Sequence, residues 1–146
     1  VLVAADESLH DPVDVAARKA AGYGAIAVKP AGKTLSVAFD MLAAAQQLEM
    51  VAFVADNACV PVLVEWNKNI AARLPAFPGV CGGMMESNGP ENYGHWEQML
   101  EQHPRAGSPW LAARGGRYEL DDEYYVAAGG ILDDPEAYLT ELRRRS

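Results

Sequence analysis

Ionisable or amide side chains directly follow each of four short apolar runs in the sequence. The four polar segments are Asp6-Glu7-Ser8, Lys29-Pro30, Asp56-Asn57 and Glu86-Ser87-Asn88. Adjacent carboxylates offer the hard oxygen ligands that Mg²⁺ prefers. A half-buried lysine beside a bound cation has a lowered pKa and can act as a base. These residue types therefore predict removal of the proton α to a carboxylate, with a cation stabilising the resulting anion.

The four apolar runs recur at intervals of about 25 to 30 residues. They span residues 1–5, 25–28, 51–55 and 80–85. Short runs that are apolar on both faces are typical of buried parallel strands. Because the carboxyl ends of parallel strands meet at one edge of a sheet, we expect the four polar segments to share one rim.

Helical patterns fill the gaps between the runs. Asp11 is a favourable N-cap, Pro12 suits the first turn, and Gly22 can end the helix. The expected inward stripe of this helix is Val13, Ala16, Ala17 and Ala20. Further helices are predicted over about 34–48 and 61–74, and after Pro90 with Tyr93, Trp96, Met99 and Leu100 inward.

Four βα units with short connections predict a parallel sheet with right-handed crossovers. A repeat of this length is that of a (β/α)₈ TIM-type barrel, which needs eight such units. We therefore predict an α/β fold in which residues 1–104 form half a barrel. Residues 105–146 are rich in Gly, Pro and Asp and are expected to form an irregular C-terminal tail or capping segment that packs over the barrel, or an adjoining domain, with one short helix over 135–144.

Two of the segments together resemble the enolase superfamily, in particular its mandelate racemase and muconate lactonizing enzyme group. The segments are Val3-Ala4-Ala5-Asp6-Glu7-Ser8 and Ile26-Ala27-Val28-Lys29-Pro30. The resemblance covers about residues 1 to 100 and implies the C-terminal half of the barrel domain. It implies Mg²⁺ as cofactor, Asp6 as a metal ligand, Glu7 as the alternative ligand and Lys29 as the acid/base. Asp56, Asn57, Glu86 and Asn88 are then candidates for contacts to a small carboxylate, with an acid sugar favoured as substrate.

The sequence departs from the family pattern in several places. Gly32-Lys33-Thr34-Leu35 replaces the usual Gly-Gly-Leu turn, and Asp56-Asn57 stands where lysine-type members carry Glu-Ser. The family's other acidic metal ligands belong to an upstream half that this sequence lacks, and its capping domain is also missing apart from any part that the C-terminal tail supplies. We therefore expect a fragment of a racemase or epimerase, a cycloisomerase or an acid-sugar dehydratase.

A second hypothesis belongs to another class of protein. The chain would then be a non-catalytic half-barrel that self-associates through its unpaired sheet edges, or a binding module. Under either hypothesis we expect a homo-oligomer, or pairing with the missing N-terminal half.

Composition limits the partners. The chain has 146 residues and a net charge of −8, which argues against nucleic acid or an anionic membrane surface as the main partner. Its apolar runs are too short for a transmembrane helix, and no signal peptide opens the chain. Two cysteines without metal-ligand spacing are typical of a reducing compartment, so we expect a cytoplasmic protein.

Overall fold

Three parallel strands form the sheet in the computed structural model, which describes residues 1–56 and 58–145. They are β1 (Ala4–Ala5), β2 (Ala25–Val28) and β3 (Val51–Val54), adjacent in that order. The register places Ala5 opposite Ile26 and Val28 opposite Val54. All four residues of β2 are buried, which is why this run is apolar without alternation. Three of the four predicted strands are thus confirmed.

The fourth expected strand, residues 80–85, is reduced to a single parallel bridge between Val54 and Met85. Two backbone hydrogen bonds hold it there, from Val54 N to the Met84 oxygen and from Glu86 N to the Val54 oxygen, at 3.1 and 2.9 Å. The preceding chain turns instead of pairing, because Gly79 adopts a φ of 88° that other residues rarely take. The described residues therefore form a mixed α/β fold around a small parallel sheet.

Seven α-helices surround or follow the sheet within the described ranges. They are α1 (Pro12–Ala20), α2 (Leu35–Gln47), α3 (Pro61–Ala71), α4 (Gly89–Asn92), α5 (Trp96–Glu101), α6 (Asp122–Ala127) and α7 (Glu136–Arg145). The Asp11 side chain accepts hydrogen bonds from two backbone amides of the first turn of α1, which confirms the predicted N-cap. The single helix expected after Pro90 is two short helices, α4 and α5. No helix in the described part of the chain is long and apolar enough to cross a membrane.

The buried face of α1 differs from the predicted stripe. Val15 is fully buried in the main core, whereas Val13 is 76% exposed. Val15 packs in the same cluster as Ile26, Val28 and Met41 from β2 and α2. Alanines carry too little apolar surface to fix the rotation of a helix, so the one large side chain that fits the core sets it.

The C-terminal region contains α-helical and 3₁₀ segments packed on the rest of the fold, where we expected an irregular tail or capping segment with one short helix. Trp110, in a 3₁₀ turn over Pro109–Leu111, and Tyr124 of α6 are both fully buried. Their rings meet edge to face with centroids 5.6 Å apart. This small core packs against α3, on the side of the helix that carries most of its buried polar residues. The region therefore contributes packed structure to the fold.

Candidate functional site

The ends of β1 and β2 bring three of the predicted site residues together. The Lys29 Nζ lies 2.5 Å from Glu7 Oε1 and 3.1 Å from Asp6 Oδ1. Lys29 is largely buried, with 17% of its side chain exposed, whereas Glu7 is 84% exposed. The parallel register explains the meeting, because Ala5 pairs with Ile26 and the two strands end at the same edge. We call these three residues the strand-end cluster.

Electrostatics in the strand-end cluster stabilise the ammonium form of the lysine. Burial lowers the pKa of Lys29, but the hydrogen bonds and charges of Glu7 and Asp6 outweigh burial and raise that pKa above its ordinary value. The hydrogen bond and charge of Lys29 in turn lower the pKa of Glu7. We expected a lowered pKa for this lysine beside a bound cation. Beside two carboxylates its pKa is raised instead. In this arrangement Lys29 can donate a proton or act as an electrostatic partner.

Asp56 lies at the end of β3 and ties two segments together. Its side chain is buried, and its Oδ1 accepts a hydrogen bond from Cys59 N at 2.9 Å. Its Oδ2 accepts one from Asn88 N at 2.8 Å. Both carboxylate oxygens are therefore engaged by backbone amides. In the described structure, Asp56 fixes the position of the Glu86–Asn88 segment relative to β3.

The remaining predicted residues differ in their surroundings. Glu86 is exposed and is held by its backbone, which pairs with Val54. Asn88 is half-buried, and its Oδ1 has no hydrogen-bond partner among the described residues although it is shielded from solvent. Asn57 lies outside the described residues. The structure thus forms two groups, the strand-end cluster and the Asp56–Asn88 pair.

A buried ion pair on α3 was not predicted from the sequence. The side chains of Glu65 and Lys68 are 1% and 3% exposed, and Lys68 Nζ lies 2.5 Å from Glu65 Oε1. Burial raises the pKa of Glu65 to about 7 despite the opposing charge of Lys68. Glu and Lys three residues apart on a helix usually form an exposed pair, so the sequence carries no signal of burial here.

A large cleft lies beside this pair and away from the strand-end cluster. Its volume is about 690 Å³, and it is lined by α3, residues 80–85 and part of the C-terminal region, including Lys68, Met85, Tyr118 and Tyr125. None of Asp6, Glu7 and Lys29 lines it.

Three comparisons with known proteins complete the description of the site. No family model, curated protein or solved structure matches the chain. Arguments about function therefore rest on the residues and their geometry.

Proposed function

We propose that the chain is part of a Mg²⁺-dependent enzyme that removes the α-proton of a carboxylate substrate and forms an enediolate. The strand-end cluster carries this proposal: Asp6 and Lys29, the expected ligand and the expected acid/base, lie 3.1 Å apart. They stand at the carboxyl ends of adjacent parallel strands, where α/β folds place their active sites. The sequence resemblance to the enolase superfamily gives this pair of residues the same two roles.

The donor atoms suit magnesium in type but not in number. Asp6 and Glu7 offer carboxylate oxygens, and Mg²⁺ commonly binds one or two protein carboxylates along with water or substrate oxygens. Within residues 1–56 and 58–145, no group of three or more His, Cys, Asp or Glu residues is placed to hold a metal. Asp6 would therefore provide one ligand, with Glu7 as the alternative. When bound, Mg²⁺ would stabilise the negative charge that develops on the substrate carboxylate.

The chain's own residues would move the proton and orient the substrate. The neutral amine of Lys29 would take the α-proton and become the ammonium group that Glu7 holds in place. The neutral form becomes accessible when the carboxylates of Asp6 and Glu7, which raise the pKa of Lys29, bind a cation instead of the ammonium group. The exposed Glu86 carboxylate and the unpartnered Asn88 Oδ1 offer acceptors for hydroxyl groups, which favours an acid sugar as substrate. Racemisation or epimerisation, cycloisomerisation and dehydration all begin with this proton transfer.

Proton exchange in D₂O tests the proposal directly. The longest natural polypeptide that contains this chain is incubated with Mg²⁺ and a panel of α-hydroxy acids and acid sugars, and loss of the α-proton signal is followed by NMR. We expect Lys29→Met to slow exchange by about 10²–10⁴-fold, the usual contribution of a general base. Lys33→Met, a nearby lysine without a bond to Asp6, should leave the rate within about twofold. Metal-dependent exchange that survives Lys29→Met in a folded protein would overturn the assignment.

A self-associating half-barrel is the second candidate function. The outer side of β1 pairs with no strand in the described part of the chain, and Val1, Leu2 and Val3 beside it are exposed. An unpaired apolar edge favours addition of another strand, from a second copy or from a separate N-terminal half. Light scattering should then show a dimer or larger assembly that Leu2→Lys weakens. A monomer at all concentrations tested would exclude self-association.

Composition supports a proposal for the compartment and the partners. We place the protein in the cytoplasm, because Cys81 is an exposed thiol of the kind that persists in a reducing compartment. A net charge of −8 disfavours nucleic acid and membranes as partners and leaves small molecules and protein subunits.

A further inference from the structure

Residues 105–130, which we call the strap, cover the polar side of α3. The Lys68 ammonium group donates hydrogen bonds to Glu65 Oε1 at 2.5 Å and to the backbone oxygen of Trp110 at 2.7 Å. The second bond joins α3 to the strap. Lys68 is 3% exposed, so one buried ammonium group bonds both a side chain of α3 and the backbone of the strap.

Other contacts extend this attachment along the strap. Asn69 Nδ2 donates to the backbone oxygen of Ala128 at 2.8 Å, and the Tyr124 hydroxyl donates to the backbone oxygen of Glu65 at 3.3 Å. A β-carbon on Gly129 would lie 2.9 Å from Glu65 Oε2, so the strap backbone lies too close to the carboxylate for a residue with a β-carbon at this position. Three separate parts of the strap, at Trp110, Tyr124 and Gly129, therefore contact α3 around the Glu65–Lys68 pair.

Tyr118 connects the buried pair to the rim of the sheet. Its ring centroid lies 4.0 Å from Lys68 Nζ, a cation–π contact. Its hydroxyl group donates to Ser87 Oγ at 3.2 Å. Ser87 is followed by Asn88, whose backbone amide donates to Asp56. Contacts thus lead from Lys68 through Tyr118 and the Ser87–Asn88 segment to Asp56 at the end of β3.

We infer that the strap, locked onto α3 by the Glu65–Lys68 pair, holds the Glu86–Asn88 segment in its rim position through Tyr118. Docking of the strap on α3 is then coupled to the position of the Glu86–Asn88 segment. Release of the strap makes that segment more mobile. The consequence for substrate binding rests on the function proposed above, whereas the coupling itself does not. The strap thereby controls the position of the Glu86–Asn88 segment from outside the strand-end cluster.

Amide hydrogen exchange of this chain, read residue by residue by NMR, tests the coupling without metal or substrate. Tyr118→Phe keeps the ring over Lys68 and removes only the hydroxyl group. We expect the Asn88 amide to exchange about three- to tenfold faster, since one hydrogen bond that holds its segment is lost. Tyr125→Phe is the matched control and should leave Asn88 unchanged. This strap tyrosine is 45% exposed, its ring contacts Tyr124 and Arg73, and its hydroxyl group has no hydrogen bond among the residues that the structure describes.

A second variant tests the lock. Lys68→Met should speed exchange in the strap and at Asn88 together, and should speed tryptic cleavage after Arg117. Tyr118→Phe should leave tryptic cleavage unchanged. Unaltered Asn88 exchange in folded Tyr118→Phe would overturn the inference. So would a Lys68→Met protein whose strap is released while Asn88 keeps its protection. If Lys68→Met does not fold, the comparison of Tyr118→Phe with Tyr125→Phe still decides.

Discussion

Replacing Lys68 by methionine should destabilise the fold by about 3–5 kcal/mol, the usual cost of removing one partner of a buried ion pair. Two losses combine in this variant. The backbone oxygen of Trp110 loses its donor, which costs about 1–3 kcal/mol. The larger part arises because Glu65, 1% exposed, loses its counter-ion and must either stay charged in the core or take up a proton at pH 8. Urea unfolding at pH 8, with wild type and variant fitted to the same two-state scheme, measures the difference.

The same variant has a predictable pH dependence. Burial already raises the pKa of Glu65 to about 7 in the wild type, above its ordinary value of 4.5, and removing Lys68 takes away a charge that opposes this rise. A carboxyl group whose folded-state pKa is raised gains stability as the pH falls through that pKa, because the folded state then binds the extra proton. The cost of Lys68→Met should therefore be smaller at pH 5, where Glu65 is protonated in the folded protein.

A double variant separates charge from packing. Glu65→Leu combined with Lys68→Met removes both charges and leaves only the Trp110 oxygen without its donor, so we expect it to be more stable at pH 8 than Lys68→Met alone. A cost of Lys68→Met below about 1 kcal/mol, or the same cost at pH 5 and pH 8, would refute the conclusion that this pair is buried and mutually dependent.

Three further predictions concern single positions. Gly83→Ala should lower the unfolding temperature, because its β-carbon would clash with the backbone oxygen of the last residue of α3. Gly82→Ala, with open space around it, should leave the unfolding temperature unchanged, and equal unfolding temperatures for the two variants would contradict this packing. Asp56→Ala should cost about 2–4 kcal/mol in urea unfolding since two backbone amides lose their acceptor, against about 0.5 kcal/mol or less for the exposed Glu86→Ala. Burial lowers the pKa of His103 to about 4 from 6.5, so this side chain by itself costs stability as the pH falls through this window, opposite to the effect of Glu65. The stability of His103→Gln relative to wild type should therefore rise between pH 7 and pH 5, and an unchanged difference would show that His103 titrates normally.

The parts of the fold that local sequence determines were predictable. The runs 25–28 and 51–55 become β2 and β3 because a strand covered on both faces needs an uninterrupted apolar stretch. Asp11 caps α1 as expected, since its side chain reaches amides only two and three residues away. The fourth strand was not predictable, because the apolar pattern of 80–85 does not show that Gly79, directly before it, turns the chain at a φ of 88°.

The candidate site also has a part that could be predicted from the sequence and a part that could not. Asp6 and Lys29 could be placed together from sequence, because parallel pairing puts consecutive strand ends side by side. The burial of Glu65 and Lys68 could not, because it depends on Trp110 and Tyr124, which lie 42 or more residues away along the chain. Contacts over such distances leave no periodic pattern in the helix itself.

The hydrogen bonds of Asp56 bear on how this sequence can diverge. Asp56 binds the chain at positions 59 and 88 through backbone amides, and every amino acid except proline supplies such an amide. Evolutionary drift can therefore change the side chains at both positions while the tie persists, provided that proline is avoided. Position 56 is less free, because an asparagine has one acceptor oxygen where two are used. In a set of related sequences we expect an invariant aspartate facing two variable partners, a pattern that pairwise covariation would not detect.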